Sequence, residues 1–453
     1  MDSSPWKAYV QHPLYGIFQA GGLQVDGLLL ISGLLLGLSI RKKYASGYSG
    51  NPLSDAWRYA RERAVRLWPV LFGAIAMQML LGDSIVEDSR GYLISLVQIL
   101  TFTNNLFDVT IHGSFTMTVA WSVCMTVQIG VVSLGVLLCL RKLSGSRRIF
   151  ELLARILLVV AVAHSLYVRY TLWDLEDGNV VLLGVRPHFG NVQTVHSYKF
   201  MSKTFGWDLD RALMDPSMVH LLDEDMDSSH PSYFASINPV AEYAHRYLRK
   251  LYFPTMARYG PMMVGLLVAF FLQPHANLAP STKPPGLVGA VCRTGLTLWA
   301  VATLSASCLT LDESNLPQPE AMMFATVALQ VTSAAAYGAL LFLSLSPVGS
   351  FWHSSTVSGF LGWSGWGILS RHSYHVCMFH FRIIMELTCR YLRPASQEQV
   401  DFVYTAKVYA MGLIFTLVYA FMVAAVEKPV QSVLRTVLLL PNKTTAGTKK
   451  KEQ

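Results

Sequence analysis

Few ionisable side chains interrupt the apolar runs of this 453-residue chain, so those that do are the first candidates for chemistry. A charge at the centre of a membrane helix costs about 2.5–3.5 kcal/mol on insertion scales and persists where it has a partner or a task. Arg155, Arg293, Glu386 and Lys407 sit within about two turns of a run's end and can reach the interface along their own stems. Asp26, His164, Arg258 and His380 have no such exit. Asp26 opens the run VDGLLLISGLLLG, which also carries Ser32 and the Gly33/Gly37 pair. Gly33 and Gly37 predict close helix packing. Asp26 is read in two ways, as the partner of an inward arginine or as a site residue.

Two further groups have suggestive spacing. In RERAVRLWP, Arg61, Arg63 and Arg66 precede Pro69, and Arg63 and Arg66 share a helix face, which suits a forked grip on phosphate. The competing reading is anchoring at the cytoplasmic mouth of a span. In ILSRHSYHVCMFHF, His372 and His375 are three apart while His380 falls off that face, and no carboxylate accompanies them. A metal site is not expected there, and a hydrogen-bonded core histidine is the commoner reason for each. The six cysteines lie in or beside apolar runs without CxxC spacing, which signals neither a disulfide framework nor a zinc site.

These residues have to be held by something, and composition says what. The chain is 52% hydrophobic and 14% charged, with a mean hydropathy of +0.38. Soluble domains carry roughly a quarter charged residues, so a soluble enzyme is excluded. The expected fold class is an all-α integral membrane protein, a single polytopic helical bundle. Spans are predicted at roughly 24–40, 64–82, 119–140, 149–172, 251–272, 286–309, 321–343, 368–390 and 403–426. Residues 92–106, interrupted by Gln98, Asn104 and Asn105, and the Gly- and Trp-rich 350–365 read as interfacial segments. The net charge of +8 sits at the ends of apolar runs, where it orients helices and attracts anionic lipid, so the lipid bilayer and not nucleic acid is the expected partner.

Orientation follows from the short connections. Loops 41–66, 141–148, 273–285 and 344–367 with the tail hold eighteen Lys and Arg, against two in loops 83–118, 310–320 and 391–402. Positive residues stay on the cytoplasmic side. The transmembrane domain therefore runs over 1–426, carries a luminal or exterior loop at 173–250, and is followed by a basic cytosolic tail at 427–453. The acidic stretch Asp223 to Asp227 reads as part of a solvated loop, and the sequon Asn442-Lys443-Thr444 falls in the tail. The terminal Lys450-Lys451-Glu452-Gln453 looks like a di-lysine retrieval signal of endoplasmic reticulum membrane proteins, the alternative being a plain lipid-attracting tail. Nine spans with a cytosolic tail put the N-terminus outside, although residues 1–23 carry no secretory signal peptide.

Six segments in one order resemble the acyltransferase-3 superfamily of integral membrane acyltransferases, nearer its branch named for nose resistance to fluoxetine. They are VDGLLLISGLLLG, RAVRLWP, AWSVCMTVQ, ARYGPMMVGLL, LSRHSYHVCMFH and VEKPV, spread over some 400 residues. Each is weak alone, and their order makes the signal specific. The resemblance implies transfer of an acyl group from acyl-CoA to a hydroxyl of a lipid, sugar or small acceptor. It assigns Arg63 and Arg66 to the acyl donor and leaves Asp26, Arg258 and His380 to shape or orient the site.

The sequence departs from the family in two places. Members carry, on a helix before the Val-Asp helix, an arginine followed eleven positions later by the histidine regarded as general base. Residues 1–23 hold no arginine, and His12 is in the wrong context. A tenth, upstream span is therefore expected in an active enzyme, and it would also bring the N-terminus inside. Cys377 replaces an aromatic three residues before His380, and the branch's soluble cysteine-rich domain is absent from the sequence. Two alternatives follow: a catalytically inactive relative that binds or regulates, and a transporter with Asp26 and His164 as proton carriers.

Overall fold

A computed structural model describes residues 21–44, 47–81, 96–106, 120–174, 255–272, 286–309, 327–387 and 402–438. These are 88% helical, without strands among the described residues. In chain order the helices are α1 (Gly21–Lys43), α2 (Pro52–Leu81), α3 (Trp121–Leu143), α4 (Arg147–Asp174), α5 (Thr255–Arg258), α6 (Gly260–Phe271), α7 (Leu287–Leu309), α8 (Leu329–Leu345), α9 (Ser355–Leu361), α10 (Trp366–Glu386) and α11 (Phe402–Leu438). Four of them are long and apolar enough to cross a membrane: α3, Arg147–Leu172 of α4, Leu287–Ala306 of α7 and Ala406–Leu438 of α11. The other predicted spans are helical but carry charges, as α1, α2 and α10 do, or are short, as α6 and α8 are. Loop 173–250 beyond Asp174, His12, the sequon and the di-lysine end lie outside the described residues.

The core divides into two groups of helices that meet at α3. The 3.6-residue period gives α3 two apolar faces. Trp121, Met125 and Ile129 join α1, α4 and α6, while Val123, Cys124 and Val127 join α2, α10 and α11. In the first group α1 and α6 run parallel, with their backbones touching. A side-chain carbon at Gly33 would lie 2.1 Å from the Met262 carbonyl oxygen, and one at Gly265 would lie 1.9 Å from that of Leu30. Only glycine permits this approach, so the Gly33/Gly37 signal marks the tightest crossing described here. Helix α8 covers this pair, and α7 leans on α8 with its other face exposed.

The C-terminal end of α6 is held by arginines from both neighbours. Arg41 donates to the carbonyls of Ala269 (2.5 Å) and Leu272, and Arg155 donates to that of Phe270 (3.0 Å). Cations satisfy the orphan carbonyls at a helix C-terminus and oppose its dipole. Glu151 pairs with Arg41, Arg147 and Arg155 and ties the clamp together.

Four boundaries differ from the sequence reading. The span predicted at 251–272 breaks at Tyr259, because Pro261, at the start of α6, cannot donate a backbone hydrogen bond to an α5 carbonyl. Helix α2 starts twelve residues before the predicted start at 64, so Arg61, Arg63 and Arg66 lie within a continuous helix. The charged turns 52–63 end the hydropathy signal without ending the helix. Residues 96–106 pack partly into the bundle: Trp68 Nε1 donates to the Leu100 carbonyl (3.1 Å), and Asn104 and Asn105 are buried. Finally α11 passes residue 426 and Pro429 to reach Leu438, so residues 427–438 belong to the helix.

Candidate functional site

Three polar clusters lie among the packed helices. The first surrounds the break between α5 and α6. Arg258 Nη2 donates to Asp26 Oδ1 at 2.7 Å, both side chains are essentially fully buried, and the guanidinium lies 5.1 Å from the centre of the Trp121 ring. The structure thus unites two of the residues singled out in the sequence and assigns Asp26 its inward arginine. Arg169, also fully buried, donates to the Ala257 carbonyl at 3.0 Å. Removing one partner of such a pair leaves a buried charge at about 3–5 kcal/mol.

A ring of amides adjoins this pair. Asn105 Nδ2 donates to Thr255 Oγ1 (2.6 Å), Thr255 Oγ1 donates to Gln128 Oε1 (2.5 Å), and Gln128 Nε2 donates to Asn105 Oδ1 (2.9 Å) and to the Phe102 carbonyl (2.5 Å). Phe102 takes φ +57°, the left-handed region that a bulky residue enters at a cost of about 1–2 kcal/mol, and this turn aims Asn104 and Asn105 inward. His164 does not join the cluster. It is exposed on α4, with Nδ1 2.5 Å from Tyr259 Oη.

The second cluster lies on the N-terminal half of α2. Arg63 Nε donates to Tyr59 Oη at 3.0 Å, and its guanidinium lies 5.0 Å from the centre of that ring. Tyr59 is itself wedged against Gly130 of α3. Arg63 is therefore half-buried and oriented, whereas Arg66 is exposed. Arg61 Nη1 donates to the Leu438 carbonyl (3.1 Å) and fastens the end of α11. Nearby, Asp55 accepts from Tyr48 Oη (2.9 Å), and partial burial with that carboxylate raises the Tyr48 phenol above its usual value.

The third cluster is one that sequence reading missed. His375 on α10 puts Nε2 3.1 Å from Glu427 Oε2 on α11, and Glu427 Oε1 accepts from Gln431 Nε2 at 2.6 Å. The His372 ring lies 5.6 Å from that of His375 and 4.4 Å from that of Phe421. Helix register relates this cluster to the arginines. Gly73 of α2 meets Val423 of α11 and Phe379 of α10, and Arg61 meets Leu438. Arg66 precedes Gly73, His375 precedes Phe379 and Glu427 follows Val423, so all three fall on the same side of that contact. The available signal was Glu427 in VEKPV, but nothing in sequence couples it to a histidine fifty-two residues earlier.

His380 makes none of the contacts described above. Its Nδ1 lies 2.9 Å from the carbonyls of Val376 and Cys377 on its own helix. Among the described residues no group of three His, Cys, Asp or Glu is arranged to hold a metal ion. No family model, no curated protein and no solved structure matches the chain.

Proposed function

We propose that this protein is a multipass membrane acyltransferase that moves an acyl group from acyl-CoA to a hydroxyl of a lipid, sugar or small-molecule acceptor. In this reading its helices form one bundle of nine to ten spans in the endoplasmic reticulum, with the basic tail in the cytosol. The observation that carries the reading is the Tyr59–Arg63–Arg66 arrangement on α2. One guanidinium is held in place by a phenol at 3.0 Å, and a second, one turn on, is exposed to receive a ligand. An oriented arginine next to a free one grips a diphosphate better than two mobile anchors would, because less side-chain freedom is lost on binding. Anchoring alone requires no such orientation.

In this scheme Arg63 and Arg66 bind the CoA phosphates at the cytoplasmic side and the thioester enters between α2, α10 and α11. Asp26 and Arg258 keep the broken helix in register and take no part in bond making. No metal enters the scheme. Replacing both Arg63 and Arg66 by Ala should raise the KM for octanoyl-CoA by about tenfold or more, the range for losing hydrogen bonds to charged groups, with the fold intact by size-exclusion chromatography. An unchanged KM overturns the assignment.

A further inference from the structure

Buried polar atoms nearly always find a partner, so those that lack one point to something the site is built to receive. Such atoms gather between α10 and α11. His375 is 5% exposed, and its Nδ1 has no hydrogen-bond partner among the described residues. The same holds for Tyr374 Oη, on the neighbouring residue, and for His372 Nδ1. The opposite ring nitrogen of His375, Nε2, lies 3.1 Å from Glu427 Oε2, close but not aligned as a hydrogen bond, and Gln431 fixes that carboxylate from its other oxygen at 2.6 Å.

We propose that His375 is a general base for acyl transfer, with its Nδ1 receiving the proton of the acceptor hydroxyl and Glu427 acting as the positioning residue that orients the ring. This rests on the acyl-transfer reading above and deepens it. A carboxylate at one imidazole nitrogen fixes the tautomer that leaves a lone pair on the other, and hydrogen bonds in an empty site need not be fully aligned. Glu427 is partly exposed and lies on the same side of the Gly73 contact as Arg66.

The step balances within these groups. The acceptor O–H donates to His375 Nδ1, its oxygen attacks the thioester carbonyl carbon, and the proton passes to Nδ1 as the new C–O bond forms. The C–S bond then breaks, and the departing CoA sulfur takes the proton back from Nδ1. The products are an ester and a free thiol, with the imidazole neutral again.

The test uses the full chain in nanodiscs with octanoyl-CoA as donor and 1-octanol as the hydroxyl probe, following free thiol and ester together. His375→Gln should lower kcat at least 100-fold with KM for octanoyl-CoA within twofold, in the range for lost general-base catalysis. Glu427→Gln should lower kcat about tenfold, and Glu427→Asp should recover part of it, which packing loss alone would not produce. His375→Ala should regain activity with added imidazole, a readout that does not depend on the Gln variant folding. Native protein that transfers the acyl group while His375→Gln keeps more than half of kcat overturns the dyad and leaves the acyl-transfer reading standing. So does a His375→Ala protein with native thermal melting that imidazole cannot restore. Native protein that binds CoA but releases no thiol overturns both.

Discussion

The crossing of α1 with α6 and the crossing of α10 with α11 bring helices together by different means. At Gly33 and Gly265 two backbones touch, and no side chain lies between them. Between α10 and α11 the contact is made by rings: Phe379 against Tyr419 with centroids 4.8 Å apart, and His372 against Phe421 at 4.4 Å. Backbone contact allows one register and no adjustment. Ring contact can adjust by a change of rotamer, and there the Nδ1 atoms of His372 and His375 are found, without hydrogen-bond partners among the described residues. A bundle that binds a substrate needs both, a fixed half to hold the geometry and an adaptable half to admit a ligand.

That contrast can be broken by mutation. Gly265→Leu carries the largest expected effect: its first side-chain carbon would stand 1.9 Å from a backbone oxygen that cannot move alone, so no monodisperse protein should elute from size-exclusion chromatography. Asp26→Ala should cost about 3–5 kcal/mol and lower Tm sharply, with Asp26→Leu/Arg258→Met recovering much of the loss. Recovery beyond the native Tm would recast the pair as a device for register. Gly73→Ala, on the adaptable side, meets side-chain atoms alone, the methyls of Val423 at 3.0 Å and the Phe379 ring at 3.4 Å, and should cost about 1 kcal/mol, because a side chain can turn. A loss as large as that of Gly265→Leu would erase the distinction between the halves. Arg155→Ala is the smallest, about 0.5 kcal/mol in a thermal melt: it removes one of two arginine caps on α6 at a partly exposed ion pair.

Sequence reading reached the features that depend on local composition. The apolar runs of α3, α4, α7 and α11 are visible because each is long and nearly free of charge, and Gly33/Gly37 is visible because small residues four apart have one main use in membrane helices. It failed where a tertiary partner overrides the local signal. Arg61, Arg63 and Arg66 end a hydropathy window, yet α2 runs straight through them, with Leu438 and Tyr59 taking up the guanidiniums of Arg61 and Arg63. Asn104 and Asn105 look like surface residues until Gln128 and Thr255 are brought to them. In the site, Asp26 could be given a generic arginine but not Arg258 by name, and the pairing of His375 with Glu427 had no trace in spacing. His380 drew notice because it sits in a recognisable motif, although its nitrogen is occupied by its own helix.

The Asp26–Arg258 pair also sets a timing problem for biosynthesis. Its two halves are 232 residues apart in the chain. At about 5–20 residues per second, Asp26 waits roughly 10–50 s before Arg258 is even made. Meanwhile the helix that follows Arg258, α6, is only twelve residues long, about 18 Å, and cannot cross a hydrocarbon layer of about 30 Å unaided. Each half is unstable alone, and each is relieved by the same event, the docking of α6 along α1. The ion pair thus forms only when the two helices have docked. A chain whose carboxylate is still unmatched is unfinished, and one whose carboxylate is matched has closed its core.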